Sequence, residues 1–120
     1  MVDFIQNMPL YIETEKFIIV HGGIIPWKKI DKHEIDEITR LREYKWKPWH
    51  NYYTEDKKII YGHWAAQWLH ITDNTIWLDT GCVYWKELSA YILETGEIIQ
   101  QQALMQYSAI SYQTLLNNYK

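Results

Sequence analysis

Two short apolar runs of this chain end in the same way, and the shared ending limits what the chain can fold into. Lys16-Phe17-Ile18-Ile19-Val20 runs into His21-Gly22-Gly23, and Lys58-Ile59-Ile60-Tyr61 runs into Gly62-His63-Trp64. β-Branched and aromatic residues in series read as buried strands. Glycine at a strand end permits a sharp turn and the close approach of a ligand. Two such endings in one sheet can bring two imidazoles to a common point. Neutral imidazole is the commonest protein metal ligand at physiological pH. His21 and His63 are therefore the candidate metal ligands. Taken singly, each also reads as an ordinary histidine beside a turn.

The other elements follow from pattern and punctuation. Met1–Glu15 is an amphipathic lead-in broken at Pro9, and Gly22–Trp27 is a loop carrying Pro26. Asp31–Tyr44 reads as one helix, with Asp31 as N-cap, Glu34 at capping-box spacing, and Ile35, Ile38 and Leu41 as its apolar stripe. Lys45–Asp56 is a polar and aromatic loop, and Thr75–Leu78 is a third strand ending in Asp79-Thr80-Gly81. Glu87–Leu93 and Glu97–Leu104 form a hairpin around Thr95-Gly96, whose imperfect alternation leaves the register open. Residues 106–120 form a tail, with a short helix or a frayed end from Ser108 onward. The fold class is α/β, in the α+β sense. Strands predominate after His63, so the Phe17–Val20 strand is expected to lack a neighbour, and the chain to be part of a larger fold.

A length of 120 residues allows one domain, 1–120. A net charge of -3 without a long basic stretch argues against binding duplex nucleic acid. No apolar run approaches the roughly 20 residues that span a bilayer. The N-terminus lacks the pattern of a signal peptide. Cys82 is the single cysteine, so no internal disulfide forms, and the expected location is cytoplasmic. Seven Trp and ten Tyr supply large buried areas whose polar tips need partners.

Two histidines do not complete a metal site. Structural zinc takes four protein ligands and catalytic zinc three plus water, and a two-metal phosphoesterase also needs bridging carboxylates. His33, in Asp31-Lys32-His33, stands at a helix start rather than a strand end, and His50 and His70 read as surface residues. Asp79 has two evenly balanced readings: a carboxylate that orients a histidine from behind, or a turn residue bonding the backbone two residues on. Arg40 and Arg42 fall at the end of the predicted helix; they suit bidentate contact with phosphate but also an ordinary solvated face. Cys82 follows glycine without a histidine beside it, which argues against a nucleophile. Trp46, Trp49 and Tyr52 suit stacking on a base; packing is the preferred reading.

Four stretches together resemble the calcineurin-like metallophosphoesterases, in the branch of bacterial and phage serine/threonine phosphatases and dinucleoside tetraphosphatases. Phe17–Pro26 is similar to that family's strand ending in His-Gly-Gly, with a proline shortly after. Ile38–Tyr44 resembles its apolar-x-Arg-Glu-x-aromatic helix. Ile59–Ala65 resembles its Gly-His metal motif. Leu78–Tyr84 with Leu88-Ser89-Ala90 resembles its Leu-Asp-Thr-Gly-Cys-Val-aromatic stretch. Order and spacing agree up to about residue 105, and jointly the motifs are specific.

The resemblance implies the C-terminal half of a two-sheet αββα sandwich and, in the complete domain, a hydrolase with two divalent metals. Manganese leads the candidates, with nickel, cobalt, iron or zinc as alternatives. His21 and His63 would bind one metal, Asp79 would stand behind them, and Arg42 would be the catalytic residue that holds phosphate. The substrate would be a phosphoprotein or a dinucleoside polyphosphate. The family's Asp-x-His, Gly-Asp-x-x-Asp-Arg-Gly and Gly-Asn-His-Glu motifs do not occur in these 120 residues. The chain alone is therefore expected to bind metal weakly and to be inactive, its first half being supplied in cis or in trans. Two readings of Met1 stay open: a start inside a longer ancestral frame, or the first residue of a fragment. The alternative is a non-catalytic remnant that binds a protein partner. Trp85 stands where the family has glycine, which is expected to alter a turn and crowd the next strand.

Overall fold

A computed structural model describes residues 2–117, so the end of the predicted tail, 118–120, and Met1 lie outside the described residues. Its centre is a five-stranded sheet in the spatial order β1 (Tyr11–Glu13), β2 (Phe17–Val20), β5 (Lys58–Tyr61), β7 (Thr75–Trp77) and β6 (His70–Ile71). Strands β2, β5 and β7 run parallel, with Ile18 opposite Ile59 and Ile60 opposite Ile76. Thr75, Ile76 and Trp77 are buried, as are Ile59, Ile60 and Tyr61. Parallel strands covered on both faces read as continuous apolar runs, which is why these segments are legible in the sequence.

The expectation that Phe17–Val20 lacks a neighbour is overturned. Strand β1, Tyr11–Glu13, pairs with it antiparallel, with Tyr11 opposite Val20, while β5 pairs with its other edge. The lead-in thus contains a strand. Thr14 stabilises the connection: its N–H and hydroxyl both bond the Phe17 carbonyl, and its hydroxyl accepts the Phe17 N–H. Ahead of it lies α1, Val2–Gln6, with no buried residue. The other edge of the sheet is β6, His70–Ile71, with His70 opposite Trp77.

The predicted helix over Asp31–Tyr44 is also shorter than expected. A 3-10 turn covers Ile30–Lys32, and helix α2 covers only Ile35–Arg40. The His33 ring explains the break. Its Nε2 accepts the Ile25 N–H at 2.8 Å while its Nδ1 meets the Lys29 carbonyl at 2.9 Å, pinning a turn where a helix would pass. The cap moves accordingly: Glu34 N–H donates to Glu37 Oε2 at 2.7 Å, in place of a cap at Asp31. Lys28 Nζ pairs with the same carboxylate at 2.6 Å. After Arg40 the chain turns extended, and Trp49 N–H bonds the Arg42 carbonyl. Strands β3, Glu43–Tyr44, and β4, Lys47–Pro48, then form a small hairpin across the end of the expected helix and the start of the expected loop.

The core joins Ile18, Val20, Ile59, Tyr61 and Trp77 of the sheet to Ile24, Ile30, Ile38, Trp49 and Tyr53. Strands β8, Glu87–Tyr91, and β9, Ile98–Gln102, pair separately, and their register is fixed with Ser89 opposite Gln100. Phe17 meets Tyr91 edge-on at 6.4 Å, linking this hairpin to the sheet. Trp85 keeps a left-handed backbone, φ 67°, and is exposed. It therefore preserves the conformation glycine adopts without cost, so the turn is kept rather than altered, and its ring is exposed to solvent. The tail contains α3, Tyr112–Asn117.

Candidate functional site

The three parallel strands end side by side, and their carboxyl ends form the site. Ligands of open α/β sheets bind in such positions. His21 follows β2, Gly62-His63 follows β5 and Leu78-Asp79 follows β7; the Gly62 N–H bonds the His21 carbonyl at 3.0 Å and the Leu78 N–H bonds the Tyr61 carbonyl. His21, His63 and Asp79 line one open cavity of about 320 Å³. Glycines make the closure possible. A Cβ on Gly22 would lie 2.8 Å from the Thr39 carbonyl carbon, and one on Gly23 would lie 2.3 Å from Trp49 Cδ1.

His21 Nε2 and His63 Nδ1 are 3.0 Å apart. Without an ion, this contact is a hydrogen bond in which one ring donates and the other accepts. Two nitrogens each about 2.1 Å from one divalent ion stand about 3.0 Å apart at neighbouring octahedral positions. The pair fits two ligands of such an ion. Among the described residues, no group of three or more His, Cys, Asp or Glu side chains is placed to hold one.

His63 has φ 71°, a left-handed conformation that costs a side-chain-bearing residue free energy. Arg42 holds it there: Nε and Nη2 donate to the His63 carbonyl at 3.3 and 3.1 Å. Arg42 reaches the site from the extended segment before β3, rather than from a helix end as expected. Burial pushes the His63 imidazole below its ordinary range, and the charges of Arg42 and His21 add to this, against an opposing contribution from Asp79. A neutral ring keeps the lone pair that a metal requires.

Asp79 Oδ1 accepts the Gly81 N–H at 3.2 Å, the turn contact two residues on. Among the described residues no hydrogen bond joins it to either imidazole, so its influence on His63 is electrostatic. Arg40 is exposed and pairs with Asp36 at 3.6 Å. His33 is committed to the backbone contacts described above. His50 is not the surface residue expected: its Nδ1 meets the Tyr61 hydroxyl at 2.8 Å, and its ring lies 5.4 Å from that of His70. Burial lowers the pKa of His50. The free thiol of Cys82 is partly buried. Packing accounts for Trp49, which is 1% exposed, but not for Trp46, which is 95% exposed. The sequence signal that distinguishes them is local: Trp46 lies between Lys45 and Lys47 at a hairpin tip.

No protein-family profile matches the chain. Curated relatives and a solved structure do. The symmetrical bis(5'-nucleosyl)-tetraphosphatase of Nitrosomonas europaea is 35% identical over 81 residues, covering 68% of this chain and 23% of that protein. The asymmetrical bis(5'-nucleosyl)-tetraphosphatase PrpE of Oceanobacillus iheyensis is 30% identical over 112 residues, covering 82% of this chain and 44% of that protein. A crystal structure of a protein provisionally assigned as a diadenosine tetraphosphatase superposes with a TM-score of 0.77 at 25% identity, covering 84% of this chain and 54% of that one. The mixed α/β fold is that of the calcineurin-like metallophosphoesterases. Within that class its homologues are bis(5'-nucleosyl)-tetraphosphatases, and it spans less than half the length of these two curated relatives.

Proposed function

We propose that this chain supplies the second half of a metal-dependent phosphoesterase that, when complete, hydrolyses a dinucleoside polyphosphate. The observation that carries the reading is the 3.0 Å approach of His21 Nε2 to His63 Nδ1 at adjacent parallel strand ends. In this reading His21 and His63 hold one of two divalent ions, manganese first among the candidates. Bound metals would supply Lewis acidity and a water acidic enough to act as nucleophile near neutral pH. Arg42 holds the His63 carbonyl and presents positive charge where a phosphate develops negative charge. Asp79 adds a negative charge at the same cavity. The names of the relatives favour a nucleotide over a phosphoprotein as substrate. No helix among the described residues is long and apolar enough to cross a membrane.

A second reading, a non-catalytic remnant that binds a protein partner, is favoured by the absence of a three-donor metal group among the described residues. One experiment separates the two. The chain is mixed with a separately produced first half of a bis(5'-nucleosyl)-tetraphosphatase, and manganese-dependent cleavage of diadenosine tetraphosphate is followed. Activity that requires both pieces and is lost in His63→Ala supports the enzyme. A complex without activity at any metal concentration supports the remnant.

A further inference from the structure

The hairpin that follows Arg42 has a tip with an unexpected composition. Lys45 and Trp46 form its two-residue turn, with φ 47° and 67°. A tight turn with both central residues left-handed favours Asn-Gly, because other side chains are strained there. Trp46 bears this strain and is 95% exposed, so it recovers almost nothing by burial. The hairpin strand residue Tyr44 joins an aromatic cluster. Trp27, 61% exposed, meets Tyr44 edge-on at 4.6 Å, and Tyr44 meets Tyr52 at 5.8 Å. Lys45 Nζ lies 5.6 Å from the Trp27 ring centre and 5.5 Å from that of Tyr44.

An exposed indole beside an ammonium group is the chemistry that receives a nucleotide, with the ring for the base and the charge for the phosphate. Its placement agrees. Lys45 follows Arg42 across the two strand residues Glu43 and Tyr44, a chain separation of at most about 10 Å, which is the scale on which a 5'-nucleotide separates its base from its outer phosphates. We infer that Trp46, with Trp27 and Lys45, forms a nucleobase-stacking subsite that holds one nucleoside end of the substrate. This rests on the phosphoesterase reading above and adds to it the end of the substrate that the chemistry does not touch. A turn strained to display an unburied ring has a function-first design, since strain of this kind persists where it serves a site.

The test uses the 120-residue chain and three probes: adenosine 5'-triphosphate, inorganic tripolyphosphate and adenosine. Calorimetry measures binding to the wild type, Trp46→Gly and Trp27→Ala. Glycine takes the left-handed turn freely, so Trp46→Gly should melt no lower than the wild type. It should weaken nucleotide binding by about 5- to 140-fold, the span of one base–aromatic stack, while tripolyphosphate binding is unchanged. Equal binding of nucleotide and tripolyphosphate, unaffected by Trp46→Gly, overturns the subsite and leaves the phosphoesterase reading standing. Trp46-dependent binding of adenosine without any tripolyphosphate binding supports the subsite and counts against the phosphate site. Failure of all three probes to bind overturns the subsite, while the phosphoesterase reading is decided separately by the two-piece cleavage experiment.

Discussion

Arg42 grips the carbonyl oxygen of His63 through two nitrogens, at 3.3 and 3.1 Å. The contact joins a charged side chain to the backbone of a metal-ligand candidate whose φ is left-handed. It explains how a strained histidine keeps its ring against that of His21. It also assigns Arg42 a positioning role that needs no substrate.

Arg42→Ala should therefore release His63 as well as remove a positive charge. The loss of charge-assisted hydrogen bonds predicts a destabilisation of about 1.5–3 kcal/mol. Denaturant melts measure it, and the His63 ring resonances should broaden or shift. Arg42→Lys should recover little, because an ammonium lacks the planar fork. An Arg42→Ala variant with unchanged stability and unchanged His63 resonances would remove the positioning role.

Acid should weaken the fold, with a definite sign. The imidazoles of His63 and His50 have pKa values lowered from 6.5 by burial. Below pH 6.5 the unfolded chain binds protons that these folded rings resist, so stability falls as pH drops through that region and levels off below the folded values. Glu37, lowered from 4.5 by Lys28 and the Glu34 backbone, adds a second loss at lower pH. Chemical denaturation from pH 8 to pH 4 checks this. A flat profile between pH 7 and pH 5 would contradict the packing described for both rings.

Gly23→Ala should be poorly tolerated. The added carbon would meet Trp49 Cδ1 at 2.3 Å and the Leu41 carbonyl oxygen at 2.6 Å, and the second of these is backbone. Trp49→Ala should cost about 3–5 kcal/mol, as expected for emptying a fully buried aromatic site. If the clash with Trp49 dominates at Gly23, the double variant will be less destabilised than the sum of the two singles. Strict additivity would place the clash at Leu41 instead.

The isolated chain should self-associate. The sequence-based reason was an unpaired Phe17–Val20 strand, and that strand is paired on both edges. The remaining reason is apolar surface: Leu88 and Ile99 stand out from the β8–β9 hairpin, and Trp85, Leu104 and Met105 are exposed nearby in sequence. Such surface favours association. Light scattering should show species larger than one chain, shifted toward monomer by Leu88→Lys with Ile99→Lys. A monodisperse, sharply melting wild-type monomer would refute this expectation.

Much of the sheet was legible in the sequence because its parallel strands are buried on both faces. Phe17–Val20 and Lys58–Tyr61 match the expected strands residue for residue, and Thr75–Trp77 falls one residue short. Composition and punctuation carry that information locally. The adjacency of His21 and His63 was readable only as convergence of two strand endings; the parallel register determines that their nitrogens meet. The helix boundaries, β1, the hairpin at Lys45-Trp46 and the grip of Arg42 on His63 were not readable. Each depends on a partner distant in the chain or on a backbone angle that residue type does not announce. His33 ends a helix by bonding Ile25, Tyr11 becomes a strand residue by meeting Val20, and Trp46 stands exposed while Trp49 is buried. The sequence by itself determined which segments are strands and which residue types stand at their ends. Only tertiary structure decided which of those residues touch, because contact between distant segments is set by packing and register rather than by local preference.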